Sequence, residues 1–271
     1  MRSHLTKSNL SLQIKIFELE KQHIIFEDLG IINYKAAWDY QEELVKKNLD
    51  IKAEARKAMS LEPSAVGYQL SAKKENTNYE LKTKNYLLFC EHPPVYTLGK
   101  SGHMENVLLN ESEMEEKEIE FFRTNRGGDI TFHGLQQIVG YPILDLENFF
   151  TDIGKYMRSL EEVIILTIAE YGIKGERSKG ETGVWIQPGI IGRERKICAM
   201  GIRCSRWITM HGFALNVNTD LSYFNNIIPC GIVNKQVTSI EKELGKKVDF
   251  EDAKEKVKRN FEKVFDVEVR R

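Results

Sequence analysis

Cys230 lies in the string Ile227-Ile228-Pro229-Cys230-Gly231-Ile232, downstream of the densest polar motif of the chain, Arg126-Gly127-Gly128-Asp129-Ile130-Thr131-Phe132-His133-Gly134. A thiol in a Pro-Cys-Gly turn, with a lysine and a glycine-rich loop available elsewhere, outlines covalent acyl transfer. The nucleophile in such chemistry is the thiolate, so a nearby cation, a histidine or a helix N-terminus must lower the thiol pKa from about 8.5. Three residues could do so: Lys196, His133 and His211. Lys196 opens a run whose alternate positions, Cys198, Met200, Ile202 and Cys204, are apolar or weakly polar, and strand alternation aligns it with that row. The plainer alternative is a solvated lysine at the start of a strand, beside Arg193 and Arg195.

In Arg126-Gly127-Gly128 the consecutive glycines mark a backbone that approaches something closely or bends sharply. Thr131 and His133 follow at alternating positions, which puts a hydroxyl and an imidazole on one side of a strand. His211 precedes Gly212-Phe213-Ala214, again a stretch whose backbone is little shielded by side chains. Cys90, Cys198 and Cys204 read as buried, inert thiols, because free cysteine behaves as a small hydrophobe. The four cysteines have no C-x-x-C spacing and no neighbouring histidine pair, so neither a zinc site nor a disulfide framework is indicated.

The elements that must position these residues can be read from periodicity. Asn33 caps a helix in which Tyr34, Trp38, Gln41, Val45 and Asn48 recur, with Ala37 and Leu44 widening the stripe. From Asp50 to Lys84 the periodicity is lost, and the composition suggests a polar insertion. Tyr86–Cys90 and Val95–Gly99 read as strands around His92-Pro93-Pro94, and Ile119–Arg123 and Ile138–Leu144 as strands flanking the glycine motif. A helix follows Thr151, with Ile153, Met157, Leu160 and Ile164 on one face until Gly172. Val184–Gln187, Arg195–Arg203 and Trp207–Val217 form an antiparallel meander. Thr238 or Ser239 caps a short helix stopped at Gly245, and Asp249 caps a last one carrying Phe250, Ala253, Val257, Phe261 and Val264. Without regular βαβ alternation, the expected fold class is α+β around a mostly antiparallel sheet.

The 271 residues, net charge -1, carry no apolar run long enough for a membrane span and no apolar stretch in Met1–Leu10 of the signal-peptide kind. The expectation is a soluble, cytoplasmic protein with no membrane partner. Between Gly172 and Arg206 eight basic residues face three acidic ones, a patch suited to an acidic protein or a phosphate. No aromatic residues interleave it in the manner of a nucleic-acid surface, so no nucleic acid is expected.

The string from Arg126 to Gly134, followed by Gln137 and Tyr141, resembles the signature of the lipoyl(octanoyl) transferases, RGG-x-x-T-[YF]-H-G-P-G-Q-x-x-x-Y. Four further segments agree in order: His92–Gly99, Lys196–Arg203, His211–Leu221, and Pro229-Cys230-Gly231 with Val237-Thr238-Ser239. One departure is visible, Leu135-Gln136 in place of the family's Pro-Gly. The resemblance implies transfer of an octanoyl group from octanoyl-acyl carrier protein to a lysine of lipoyl domains, those of 2-oxoacid dehydrogenase complexes and of the glycine cleavage H protein. It implies Cys230 as the residue that carries the acyl group as a thioester and Lys196 as its partner. It also implies a substrate pocket lined by Arg126, Gly127, Gly128, Asp129, Ile130, Thr131, Phe132, His133, Ala199, Met200, Gly201, Gly212, Phe213 and Ala214. No cofactor is implied, because a thioester replaces a thioester.

The implied fold is that of the biotin and lipoate protein ligases: a large mixed, mostly antiparallel sheet flanked by helices, plus a smaller sheet. The expected organisation is an N-terminal segment, 1–32, and a single catalytic domain, 33–271, with its core at about 82–248 and a polar insertion at about 50–84. Both implied partners are acidic proteins, which makes the basic Gly172–Arg206 region the expected docking surface. Three other readings compete. An ATP-dependent lipoate ligase of the same fold needs no cysteine, a cysteine protease would use water as acceptor, and a lipoyl-domain binding protein would lack catalysis.

Overall fold

The computed structural model describes residues 21–60, 82–228 and 236–270. Cys230 and most of the expected insertion lie outside the described residues. Two sheets organise the chain. The larger has eight strands: β1 (Gln22–Ile31), β2 (Asn85–Glu91), β6 (Gln137–Ile143), β7 (Val184–Ile186), β8 (Arg195–Ser205), β9 (Ile208–Asn216), β10 (Gln236–Val237) and β11 (Val267–Arg270). Their order is β10-β8-β9-β6-β2-β1-β11, with β7 paired on β8. The smaller sheet joins β3 (Val95–Leu98), β4 (Glu120–Arg123) and β5 (Ile130–His133) in the order β4-β3-β5. The pairings β2–β6, β6–β9, β8–β9 and β7–β8 are antiparallel, and β1–β2, β1–β11 and β8–β10 are parallel. The class is α+β, as expected, with a mixed sheet.

Helix α1 (Tyr34–Ser60) covers one face of the large sheet. The Asn33 Oδ1 accepts the Lys35 N–H at 2.9 Å and so caps it. The helix runs ten residues past Asp50, which corrects the expected start of the insertion. The periodicity is hidden because the next inward positions are polar: Asn48 bonds the Lys84 backbone through both its amide atoms, and Lys52 pairs with Asp145 at 2.7 Å. Partnered polar groups can be buried there, so the stripe continues without an apolar signal. A second correction concerns residues 1–32: β1 lies inside that segment, between β2 and β11 in the sheet. Its inward residues Ile24 and Phe26 are buried in the core, so the sheet begins before position 33.

The other face is covered by α3 (Ile153–Ala169) and α5 (Phe250–Phe265), capped by Asp152 and Asp249. Helix α2 (Glu111–Glu116), closed by an Asn110–Glu113 capping box, precedes both in the sequence, and α4 (Ile240–Leu244), which Ser239 starts and left-handed Gly245 ends, lies between them. Strand β2 is buried on both sides: Leu87 and Phe89 join the α3 and α5 core, and Leu88 and Cys90 join the α1 core. The β8–β9 hairpin turns on Arg206 and Trp207, at φ 50° and 68°. That is the type I′ geometry usually supplied by Asn-Gly. Two tertiary bonds hold it, from Leu146 N–H to the Trp207 carbonyl and from Lys52 Nζ to the Arg206 carbonyl. Among the described residues no helix is long and apolar enough to cross a membrane.

Candidate active site

A cavity of about 820 Å3, counting its open mouth, lies between the α1 face of the large sheet and the small sheet. Its floor is built from cross-strand pairs of small residues, Ala199 opposite Ala214 and Gly201 opposite Gly212. A Cβ on Gly201 would stand 2.5 Å from the Gly127 carbonyl, and one on Gly212 would stand 2.2 Å from the Gly140 carbonyl. Only glycine lets these backbones approach so closely. Phe213 and Met200 contribute to the wall although their side chains also join the α3 and α5 core.

Lys196 reaches this cavity through a register shift. Val184 pairs with Cys198, yet Trp185 pairs with Lys196 rather than with Ile197. The extra residue is a β-bulge: Ile197 and Cys198 both enter the core, and the alternation reverses below them. The sequence aligned Lys196 with Cys198 and Met200; the bulge instead puts it on the side of Ala199 and Gly201. Its Nζ stands 4.6 Å above the Trp185 ring. The expectation of a shared row is therefore corrected, and Lys196 faces the cavity.

The glycine loop forms the opposite wall. Arg126, Gly128, Asp129, Ile130, Thr131 and His133 line the cavity, whereas Gly127 and Phe132 do not. The Gly127 N–H is spent on the Ile202 carbonyl at 2.9 Å, which ties the loop to β8. Phe132 points away and stacks on Tyr223 at 4.6 Å in the small-sheet core. The Arg126 Nη2 donates to the Thr97 carbonyl at 2.6 Å and to its hydroxyl at 2.9 Å. Asp129 accepts the Ile130 N–H at 2.7 Å and the Asn106 amide at 2.7 Å, which fixes the loop's exit.

His133 is fully committed to the protein. The Gln137 Nε2 donates to Asn216 and to the Phe132 carbonyl, so its Oε1 is the atom that faces His133 Nδ1 at 2.9 Å. Nδ1 must therefore carry the proton, and Nε2 accepts from the Thr97 hydroxyl at 3.3 Å. Burial, with His92 and Arg126 nearby, holds the imidazole well below its ordinary pKa. His133 is thus a neutral, doubly bonded wall residue. His92 lies behind it, donating from Nδ1 to the Ile32 carbonyl and accepting from the Tyr141 hydroxyl, each at 2.7 Å, with its pKa lowered to about 4 by burial.

Sequence reasoning did not assign Tyr34 and Tyr141 to the cavity, which both line while almost wholly buried. Tyr34 stacks on His133 at 5.9 Å. Their helical and strand positions were legible, but nothing in the local pattern says that α1 and β6 face one space. Thr182, Phe224 and Val237 also line the cavity, as do Gln137, Val139 and Asn216. Cys90, Cys198 and Cys204 all have thiols pushed up by burial, which suits the inert role expected of them.

The departure at Leu135-Gln136 has a physical expression. Gln136 takes φ 59°, a left-handed conformation that glycine adopts freely. The turn is held by Gln136 N–H to Glu91 at 2.6 Å and by the Asn218 amide to the Gln136 side-chain oxygen at 2.8 Å. The basic region is less free than its composition suggests. Lys174, Arg177, Arg195 and Arg203 are paired with Glu176, Glu161 and Glu162, Glu243, and Glu42 respectively. Lys179, Arg193 and Arg206 are exposed.

Residues 67–262 match the lipoyl protein ligase A/B catalytic domain. The chain is 55% identical over 244 residues to the octanoyltransferase of Christiangramia forsetii, covering 90% of this chain and 96% of that protein. It is 56% identical over 247 residues to the octanoyltransferase of Flavobacterium psychrophilum, covering 91% and 98%. Among solved structures, the bi-partite lipoate protein ligase of Thermoplasma acidophilum superposes with a TM-score of 0.60 at 14% identity, covering 93% of this chain and 86% of that one. A lipoate-protein ligase A bound with ATP gives 0.60 at 13% identity, covering 93% and 88%. At such identities the structural likeness concerns the fold: a large mixed sheet, a smaller sheet and flanking helices. The sequence matches reach much further, and the chain belongs to the family of octanoyltransferases that carry the lipoyl protein ligase A/B catalytic domain.

Proposed function

We propose that this acyltransferase moves an octanoyl group from octanoyl-acyl carrier protein to a lysine of a lipoyl domain, with Cys230 carrying the acyl group between them. Octanoyl transfer in protein lipoylation follows from the family. The donor, the thioester and the roles of Cys230 and Lys196 are the proposal. The observation that supports it most is the bulge at Ile197, which turns a lysine from the core side of β8 into a cavity floored by Ala199, Gly201, Gly212 and Ala214. Strand geometry alone gives no reason to aim an ammonium there. As a cation beside Cys230 it would favour the thiolate.

In the first step the Cys230 thiolate attacks the carbonyl carbon of the carrier's thioester. A new C–S bond forms, the bond to the carrier's thiol arm breaks, and the departing thiolate takes a proton from the Lys196 ammonium or from solvent. In the second step the acceptor lysine amine attacks the acyl-cysteine carbonyl. The C–N bond forms, the C–S bond to Cys230 breaks, and the nitrogen's surplus proton passes by way of Lys196 to the cysteine or to solvent. Burying about six methylenes of the chain would contribute on the order of 5 kcal/mol.

Intact-mass measurement after mixing the protein with octanoyl carrier protein, without nucleotide, tests the reading. An octanoyl adduct is expected, absent in Cys230→Ala and discharged by an apo lipoyl domain. No adduct without ATP, but modification of the lipoyl domain with octanoate and ATP, would replace the transferase by a ligase.

A further inference from the structure

His211 occupies a position that the mechanism above leaves unused. It lies in the middle of β9, paired with Ile202, yet its φ is 61°. A left-handed non-glycine residue inside a strand is strained and persists only where the surroundings impose it. The conformation has a geometric result. Phe213 and Leu215, two and four residues on, pack into the α3 and α5 core, and alternation would send His211 to the same side. Instead its ring meets Trp38 of α1 edge-on at 6.0 Å and lines the cavity. The backbone is clamped in this state by the bond from His211 N–H to the Gln41 Oε1 at 3.0 Å.

The two ring nitrogens differ. The Asn125 Nδ2 donates to Glu42 at 3.3 Å, so the atom 2.7 Å from His211 Nε2 is the Asn125 oxygen. An amide oxygen only accepts, hence Nε2 carries the proton and Nδ1 presents a lone pair. Nδ1 is buried and has no hydrogen-bond partner among the described residues, in a residue that is 2% exposed. Burial, together with Arg126 and Arg203, holds the imidazole near pKa 3, so protonation does not supply a second donor at ordinary pH. His133, the other histidine of the cavity, has both nitrogens satisfied. Of the two, His211 alone keeps an acceptor for a ligand.

We infer that His211 is a substrate-positioning residue whose Nδ1 accepts a hydrogen bond from a substrate N–H. This rests on the acyl-transfer reading above. An alkyl chain against Nδ1 would leave a buried acceptor unpaired, which is unfavourable. The part of the substrate beside His211 therefore carries a donor, and the acyl chain lies elsewhere in the cavity. Two N–H sources belong to the reaction: the amides of the donor's thiol arm and the attacking amine of the acceptor. The strained backbone is kept because a relaxed strand would turn the ring into the core.

His211→Asn and His211→Gly separate the acceptor from the backbone, since both residues tolerate positive φ. Asn keeps an acceptor oxygen close to the place of Nδ1, and Gly does not. The half-reactions are followed by intact mass: acyl-enzyme formation against octanoyl carrier protein, then discharge of preformed acyl-enzyme against an apo lipoyl domain. The Gly variant should raise the half-saturating concentration about tenfold in one half-reaction, and Asn should recover most of it. A change confined to the first half-reaction assigns the bond to the thiol arm, and one confined to the second assigns it to the amine. Wild-type behaviour of the Gly variant in both, or equal impairment of Asn and Gly, overturns the inference, because loss of the Trp38 and Asn125 contacts alone affects the two alike. If the Gly variant does not fold, His211→Ala supplies the comparison without an acceptor. Absence of an adduct in the wild-type protein is a separate result that removes the acyl-transfer reading itself and this assignment with it.

Discussion

Gly201→Ala tests whether the close approach of the glycine loop to β8 shapes the cavity. The added Cβ would lie 2.5 Å from the Gly127 carbonyl oxygen and 3.4 Å from the Arg126 Cδ, where ordinary contact begins at 3.4 Å. The loop must therefore retreat by about 0.9 Å, because neither partner in the tightest contact is a flexible side chain. That movement stretches the Gly127 N–H bond to the Ile202 carbonyl from 2.9 Å beyond bonding range. Overpacking of about 1–3 kcal/mol and a lost hydrogen bond of about 1 kcal/mol together predict a loss of about 2–4 kcal/mol. Because the same loop carries Arg126, Gly128 and Asp129, a displacement near 1 Å should slow octanoyl-adduct formation on the order of a hundredfold. The assays are urea unfolding and timed intact mass. Gly172→Ala is the control: its φ of 76° strains an alanine by about 1 kcal/mol, nothing lies within 4 Å, and the rate should not move. A Gly201→Ala protein of wild-type stability and rate would refute the packing argument.

Lys52→Met should lose about 3–5 kcal/mol, because it leaves the Asp145 carboxylate buried without its cation; adding Asp145→Asn should restore much of that. A loss below about 1 kcal/mol in urea unfolding would show the pair to be incidental. Stability should also fall on mild acidification. An unfolded histidine takes its proton near 6.5, whereas folded His92 and His211 do so only near 4 and 3, so below pH 6.5 the unfolded chain binds more protons. Their stabilisation is complete above pH 6.5 and is lost as pH falls toward 4, by about 2 kcal/mol per histidine at pH 5. His92→Gln should flatten the slope of unfolding free energy against pH between 7 and 5; an unchanged slope would contradict this assignment of the acid sensitivity.

The amino-acid sequence determined the local elements and the chemical inventory. Asn33, Asp152, Ser239 and Asp249 start helices where their side chains can accept backbone N–H groups, and Gly245 ends one where φ is positive. The meander of β7, β8 and β9 and the strands on either side of the glycine motif follow from apolar alternation. The ordered motifs were sufficient to suggest the family. Other features were not legible. The second half of α1 was hidden by Asn48 and Lys52, whose partners, the Lys84 backbone and Asp145, are distant in sequence. Strand β1 carries a weak pattern, because its place depends on β2 and β11, which pair with it from far along the chain.

The aim of the site residues was decided only by tertiary structure. Alternation from the sequence puts Lys196 with Cys198 and His211 with Phe213, both toward the core. A bulge at Ile197 reverses the first, and a left-handed φ at His211 reverses the second. Both are single-residue departures from regular strands, held by neighbours such as Trp185, Gln41 and Asn125. Side-chain direction in a strand alternates with every residue, so one inserted residue or one inverted dihedral changes the face. A sequence records the residues but not the contacts that make such a departure the stable state.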